Sequence, residues 1–501
     1  MKKLPIYILA TLFIVMSGCK KLEPQLYGSL NASTYPKTVA DFTAYVIQAY
    51  EPFQAKWGYQ DGAAYQPCWF SAQYGEIMEF DYGTDAMNTF TGWGGIFTQF
   101  SEADYTPLLS LSDNNNDHFE KTRFISRLTQ IIEDISNSSI DQADKDELTA
   151  EVKMSRGWNM YYLLQLYGPV PVILDPALLG TAAESNLTRP ARSAYVADIV
   201  SDLTFAAANL PVTPANYGRF NKALALTVLM RTYMNEKDFA NAIPVGKQII
   251  GMGYSLVTDY ASLFKTATEK NSETIWAAIC SPGSDGKSVS PGFNPFDFYT
   301  YPGDYVGNEV QYAWGYAGNA PFSATWSFYN SFDPADKRRS LLIASYTNRS
   351  GATVNQASGL TGPVIAKYPD NDGPSGSFQA NDLPQARLAD VMLMLAEAEN
   401  QVGGPTTEAI GYVNQVRAAH GGLGPVPSTA TADKASFDAW ILKEQGWDLY
   451  FEGDRKMQLI RHGQYNQALQ SVGKTPGNYL QPISNYNLAA GKGTLTQTPG
   501  Y

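Results

Sequence analysis

The sequence predicts a mainly α fold: a stack of tetratricopeptide-like helix pairs with a loop-rich irregular subdomain attached. Apolar residues recur at helical spacing in segments that come in pairs, separated by short Gly- and Pro-containing breaks. Alanine is frequent inside those segments, as close approach of paired helices requires. Between two such blocks, residues 281–380 turn rich in Gly, Pro, Ser, Asn and aromatics and show no helical period. At 501 residues the chain also exceeds one simple core, which suits an elongated repeat.

The chain opens with Met1-Lys2-Lys3, an apolar stretch from Leu4 to Met16, and then Ser17-Gly18-Cys19. A basic start, a short apolar core and small residues before a boundary make a secretory signal peptide. The core is shorter than the roughly 20 residues of a membrane span. Cysteine in the last place makes it a lipoprotein signal, with residues 1–18 removed and Cys19 carrying the lipid anchor. Residues 19–116 read as an N-terminal loop-rich region packed on the helical core. It holds one helix, Val39 to Tyr50, before a stretch full of Trp and Tyr.

Residues 117–280 form the first helical block. Phe119 to Ile135 places Phe124, Leu128, Ile131 and Ile135 on one face. Leu148 to Tyr167 follows and is stopped by Gly168, with Pro169 and Pro171 beyond. Ser193 to Leu210 aligns Tyr195, Ile199, Leu203, Ala206 and Leu210. Asn221 to Met234 is apolar almost all round and should be buried. Asp238 caps a helix running towards Ile250, in which Pro244 predicts a kink or fraying.

Residues 281–380 read as a loop-rich ligand-binding insert, since long irregular segments inside compact proteins are usually functional. The C-terminal block and tail, 381–501, resume the pairing. Arg387 to Val402 is broken by Gly403-Gly404-Pro405. Thr406 to Ala419 returns, and a third helix runs from Phe437 to Phe451 and ends at Gly453.

Composition removes several functions. A formal net charge of −12 opposes nucleic acid and anionic lipid surfaces, both of which reward basic patches. His118, His420 and His462 show no ligand spacing, so neither a metal nor a cofactor is expected. With Cys19 lipidated, Cys68 and Cys280 remain. An exported setting permits a disulfide between them, and two buried free thiols fit equally. The local signatures of hydrolases, dinucleotide sites and phosphate loops do not occur.

The helical blocks carry a resemblance. Arg156, Tyr161-Tyr162 and Tyr167-Gly168 through Pro171 form one element. Gly218-Arg219-Phe220-Asn221, Glu273 with Ile275-Trp276, and Phe332-Asp333 with Asp336, Arg338 and Arg339 form others. Arg387 and Asp390 with Ala396-Glu397-Ala398, then Asn414 and Arg417, then Glu444 with Phe451-Glu452-Gly453 and Arg455, are the most specific. The chain ends in Gln497-Thr-Pro499-Gly500-Tyr501. Over nearly the whole mature length the sequence resembles the SusD/RagB-like nutrient-binding outer-membrane lipoproteins. Gln445, Asp448, Gln458 and Ala419 depart from the usual residues, which puts some buried ion pairs of the scaffold in doubt.

The resemblance implies a right-handed stack of helix pairs. It also implies a surface-exposed lipoprotein that captures oligosaccharides and passes them to a SusC-like TonB-dependent outer-membrane barrel, held to the outer membrane by its lipid and performing no chemistry. The alternatives are a glycoside hydrolase on a helical scaffold, a peptide-binding member of the same transport family, and a repeat protein that serves as an interaction adaptor.

Two groups of residues could carry function. Glu397, Arg417, Glu444, Glu452, Arg455 and Arg461 invite a catalytic reading. On faces of packed helices, however, Arg and carboxylate lock elements together by paired hydrogen bonds. The binding candidates are aromatic: Phe293 to Tyr316 crowds nine Phe, Tyr and Trp rings among Asn, Asp and Gln, without Lys or Arg. Flat rings take the C–H face of a sugar, and amides and carboxylates take its hydroxyls. Trp314, Tyr316, Tyr299, Tyr301 and Trp93 are the expected ligand contacts. A second cluster, Trp57, Tyr65, Trp69, Tyr74 and Tyr105 around Trp93, divides between packing and binding.

Overall fold

A computed structural model describes residues 35–56, 68–89, 95–111, 118–185, 188–281, 292–306, 319–369 and 379–501. The signal peptide and Cys19 lie outside the described residues. The scaffold consists of α1 (Lys121–Ser136), α2 (Gln142–Tyr167), α3 (Arg192–Asn209), α4 (Lys222–Asn235), α5 (Phe239–Ile250), α6 (Leu388–Gly403), α7 (Thr407–Val416) and α8 (Lys434–Leu449). Each of α1 to α5 packs against the next, and α6 packs on α5, α7 and α8. The repeat therefore runs on from α5 to α6 although residues 251–387 intervene in the chain. This is the mainly helical repeat fold the periodicity predicts. Among the described residues no helix is long and apolar enough to cross a membrane.

Local chemistry sets the helix ends. In α2 the stop is Gly168, whose backbone adopts φ +71°, a conformation that costs glycine little. Its start lies earlier than the apolar pattern indicates, because Gln142–Glu147 form a polar, solvated first turn and a half. Asn221 caps α4 by accepting from Leu224 N (2.8 Å), and α4 is buried nearly all round as expected. α5 runs unbroken through Pro244. A proline inside a helix costs about 3 kcal/mol, and here the packed face of Ala242, Gly246 and Ile249 outweighs it. Gly246 lets the helices close up, since a Cβ there would stand 2.8 Å from Met230 Cε on α4. α7 ends three residues before Ala419, passing at Arg417–Gly421 into a wider turn closed by Gly422. α8 begins at Lys434 because Asp433 caps it, accepting from Ser436 N (2.8 Å). Near the N-terminus, the expected helix Val39–Tyr50 is helical only to Tyr45. It tightens into a 3-10 segment, Val46–Phe53, that contains Pro52.

The remaining chain is tied to this stack by short strands. β1 (Thr274–Ala278) pairs antiparallel with β2 (Leu383–Arg387), and β2 leads straight into α6. Met87–Thr89 pairs antiparallel with Phe322–Ala324. Trp69, Trp158 and Tyr162 sit in the main hydrophobic cluster, with Trp69 stacked on Tyr162 (4.4 Å between centroids) and donating to Asn159 Oδ1 (2.8 Å). Tyr74 and Tyr105 are buried as well, so these members of the second aromatic cluster pack the core. Trp57, Tyr65 and Trp93 lie outside the described residues. Cys280 is a buried free thiol, and Cys68, also buried, donates to Glu51 O (3.4 Å).

Candidate functional site

Three of the six acids and bases that invite a catalytic reading, Arg417, Glu444 and Glu452, meet in a buried charge cluster where the insert joins α8. Arg338, fully buried, bonds Asp336 (2.7 Å), Glu444 (2.7 Å) and Asp448 (3.1 Å). Arg387 reaches Asp448 (2.6 Å), Glu273 (3.0 Å) and Glu452 (2.8 Å). His420 stands between Asp448 (2.8 Å) and Glu273 (2.9 Å). Lys367 bonds Glu452, and Arg417 lies 3.3 Å from Glu444. The carboxylates Glu273, Asp336, Glu444, Asp448 and Glu452 thus face Arg338, Arg387, Arg417, Lys367 and His420, and a protonated His420 brings the two sets into balance. Burial opposes that proton, but Asp448 and Glu273 hold His420 up at about 9. A companion pair, Arg461 with Glu397 (3.0 Å), joins α6 to the helix Arg455–Arg461. Arg455 itself grips Asp85 through two bonds of 2.8 and 2.9 Å. These groups are architecture, as their helical setting suggests. Gln445 and Asp448, two of the four departures from the expected pattern, take part: Gln445 donates to Glu397 (2.8 Å), and Asp448 is the hub.

A different face gathers the bases of the aromatic-rich segments. Phe293 N donates to Ala55 O (3.2 Å), Ser281 N to Gly292 O (2.7 Å), and Asn294 and Gln379 exchange backbone bonds at 3.0 Å. Chain leaving after Lys56 and Ser281 and returning at Gly292 and Gln379 therefore meets at one corner. The strand pair of Met87–Thr89 with Phe322–Ala324 marks a second corner. The short helix Phe296–Thr300 bridges the two. On it Asp297 accepts from Gln379 Nε2 (2.8 Å), and Tyr299 stacks on Phe322 (5.2 Å between centroids) while its hydroxyl accepts from Gln73 Nε2 (2.8 Å).

This geometry corrects two expected contacts. Tyr299 is 0 % exposed and Tyr301 is 2 % exposed. Tyr301 packs with Tyr346, Val354, Leu360 and Val364 in a small hydrophobic cluster. Both rings fasten the platform and offer no open face, since a large ring on a short buried helix gains more from packing than from solvent. Trp314, Tyr316 and Trp93 lie outside the described residues, in segments that begin or end at the second corner. Asn294 and Asp297, which the sequence offers as polar partners for a sugar, instead tie the short helix to the first corner together with Gln379, which sequence reasoning missed. Their partners are far away in the chain, and no local pattern signals them.

A separate cleft of about 550 Å³ opens beside the Gly168–Pro171 turn, between α1 and the C-terminal segment, and is lined by Glu120, Arg123, Pro171, Val172, Asn487 and Lys492 among others. Among the described residues its aromatic lining is Phe119, which is largely buried.

Comparison with known proteins adds the following. The profile described as "SusD family" matches residues 340–501, and that described as "Starch-binding associating with outer membrane" matches residues 63–234. The "SusD-like protein P2" of Formosa agariphila is 23% identical over 100% of both chains. The "SusD-like protein P25" of the same organism is 27% identical over 75% of each. Among solved structures, a SusD superfamily protein from Bacteroides vulgatus aligns with TM-score 0.73 at 19% identity, covering 93% of this chain and 99% of its own. Surface glycan-binding protein A from Bacteroides thetaiotaomicron, solved in complex with laminarihexaose, aligns with TM-score 0.72 at 18% identity, covering 92% and 99%. At such identities the structural likeness carries the fold.

Proposed function

Given that this chain belongs to the SusD/RagB family, we propose that it is an outer-membrane lipoprotein that binds glycans and performs no chemistry. In this reading Cys19 carries the lipid. The protein faces the cell exterior, captures oligosaccharides, and delivers them to a SusC-like TonB-dependent barrel. The observation that carries the reading is the convergence of the loop bases on one platform, from which the segments holding Trp314, Tyr316 and Trp93 spring. Structural neighbours described as surface glycan-binding and laminarin-binding proteins support it. The engagement of Glu397, Glu444 and Glu452 by arginine in the packed interior speaks against a hydrolytic role for them, because a glycosidase needs two carboxylates facing a substrate across a cleft.

Calorimetric titration with a panel of polysaccharides that includes laminarin tests binding, and chromatography of the same mixtures tests cleavage. Binding with intact glycan is the expected result. Released oligosaccharides would move the protein to the hydrolases. Anchoring is tested by Cys19→Ser, which should leave the body folded and shift it from the membrane to the soluble fraction, because lipid chains hold through about 0.8 kcal/mol per buried CH₂.

A further inference from the structure

Lys474 occupies an unusual place. It follows the helix Tyr465–Ser471, where Gly473 (φ +81°) turns the chain and Lys474 N donates to Leu469 O (3.0 Å). The residue is 4 % exposed. Its ammonium donates to three backbone carbonyls from the other end of the chain: Tyr82 (3.2 Å), Thr84 (2.7 Å) and Met87 (2.7 Å). Carbonyl oxygens converging on one buried point are what a monovalent cation site supplies. Here the occupant is the chain's own ammonium, whose three N–H donors match three acceptors. The carboxylate in this turn, Asp85, is taken by Arg455. The carbonyls alone therefore receive the Lys474 protons.

The turn matters for what it carries. Met87 opens the strand Met87–Thr89, which pairs with Phe322–Ala324 at the second corner of the platform. Thr89 directly precedes the segment that holds Trp93, and Asn319 directly follows the segment that holds Trp314.

We propose that Lys474 is a positioning residue for ligand binding: an internal cation, held in a carbonyl cage, that fixes the Tyr82–Met87 turn and through it the strand pair that the aromatic-rich segments adjoin in sequence. The link to ligand rests on the glycan-binding reading; the cage rests on its own geometry.

The test is chemical rescue. Lys474→Ala leaves the cage and removes a propylammonium-sized piece. Hydrogen exchange of the amides of residues 84–89 should speed up at least about tenfold in this variant. Propylammonium should restore protection, and propyltrimethylammonium at equal concentration, which has no N–H donor, should not. Glycan affinity should fall and return in parallel. Unchanged exchange in the variant, or equal rescue by both amines, overturns the cage. Loss of affinity with unchanged exchange overturns the positioning role. Rescued exchange in a protein whose wild type binds no polysaccharide keeps the cage and defeats the glycan reading and the positioning role with it. Lys474→Met, which keeps the bulk without the charge, is prepared alongside. If neither variant folds, even when refolded with propylammonium, the proposal fails.

Discussion

The helical stack and the seam between insert and α8 are held by different forces. From α1 to α6 the contacts are mainly apolar and close. Gly157 of α2 meets Leu203 of α3, Gly246 of α5 meets Met230 of α4, and small local ion contacts such as Arg156 and Lys153 with Asp202 (2.6 and 2.9 Å) stitch neighbours together. At the seam Asp336, Arg338 and Lys367 of the insert, with Glu273 just before β1 and Arg387 at the end of β2, meet Arg417, His420, Glu444, Asp448 and Glu452 of the C-terminal block in one connected cluster. Most helices of the stack dock on a neighbour in sequence, so an apolar stripe is enough to find the partner. The insert has to find one register against a surface formed much later in the chain. A buried charge set rewards a single arrangement, because any other leaves ions unpaired in the interior. The difference teaches that apolar periodicity builds the repeat, and charge complementarity places the irregular subdomain on it.

The sharpest way to break this comparison is Arg387→Ala. It removes the cation shared by Asp448, Glu273 and Glu452 and leaves the three carboxylates to Arg338, His420 and Lys367. Breaking a buried pair costs about 3–5 kcal/mol. Urea unfolding should show a loss of that size. Hydrogen exchange should rise first in Thr274–Ala278, while α2 and α3 keep their protection. A uniform rise across both regions would mean that the seam and the stack are one cooperative unit.

A smaller effect separates the two regions by pH. His420 titrates near 6.5 when unfolded and at about 9 in the fold. Its contribution is complete below pH about 6.5 and is lost as pH rises through about 9, and it amounts to at most about 3 kcal/mol. His462, held up to about 9 against burial by Glu397 and Asp438, acts in the same sense. Lys367, Lys456 and Lys474, lowered to about 8 by burial, act in the opposite one. The informative quantity is therefore the difference between wild type and His420→Gln in melting temperature from pH 6 to pH 10. The gap should be widest at pH 6 and close towards pH 10. A gap that stays constant would show His420 to be neutral in the cluster.

The same division explains what the sequence made legible. Helices whose apolar faces repeat every three to four residues, such as α1, α3 and α4, stand within two residues of where that pattern places them, because the pattern is itself the packing signal. Glu397, Glu444 and Arg461 were readable as architecture because they lie on packed helices. Tyr299 and Tyr301 were misread, since a short helix over Phe296–Thr300 inside a loop-rich stretch has too little length to show a period. Lys367, His420 and Lys474 gave no signal at all. Their partners lie from 28 to 392 residues away, and nothing near them in sequence announces the contact.

The last test concerns the loop face, where stability and binding should come apart. Tyr299 and Trp314 belong to one aromatic-rich stretch. Tyr299 is fully buried against Phe322 and bonded to Gln73. Trp314 stands between Tyr312 and Tyr316 and beside Gly315, with no apolar period that would bury it. Tyr299→Ala should behave like a core truncation and cost on the order of 3–5 kcal/mol of stability. Trp314→Ala should leave the melting temperature nearly unchanged and weaken glycan binding. A ring that anchors a ligand typically contributes about 2 kcal/mol or more, a loss of about thirtyfold in affinity by the relation of 1.4 kcal/mol per tenfold. Each variant is measured by thermal melt and by calorimetric titration against the same polysaccharide. If Trp314→Ala melts early and binds normally, Trp314 joins Tyr299 in the packing, and the stacking role passes to Trp93 and Tyr316.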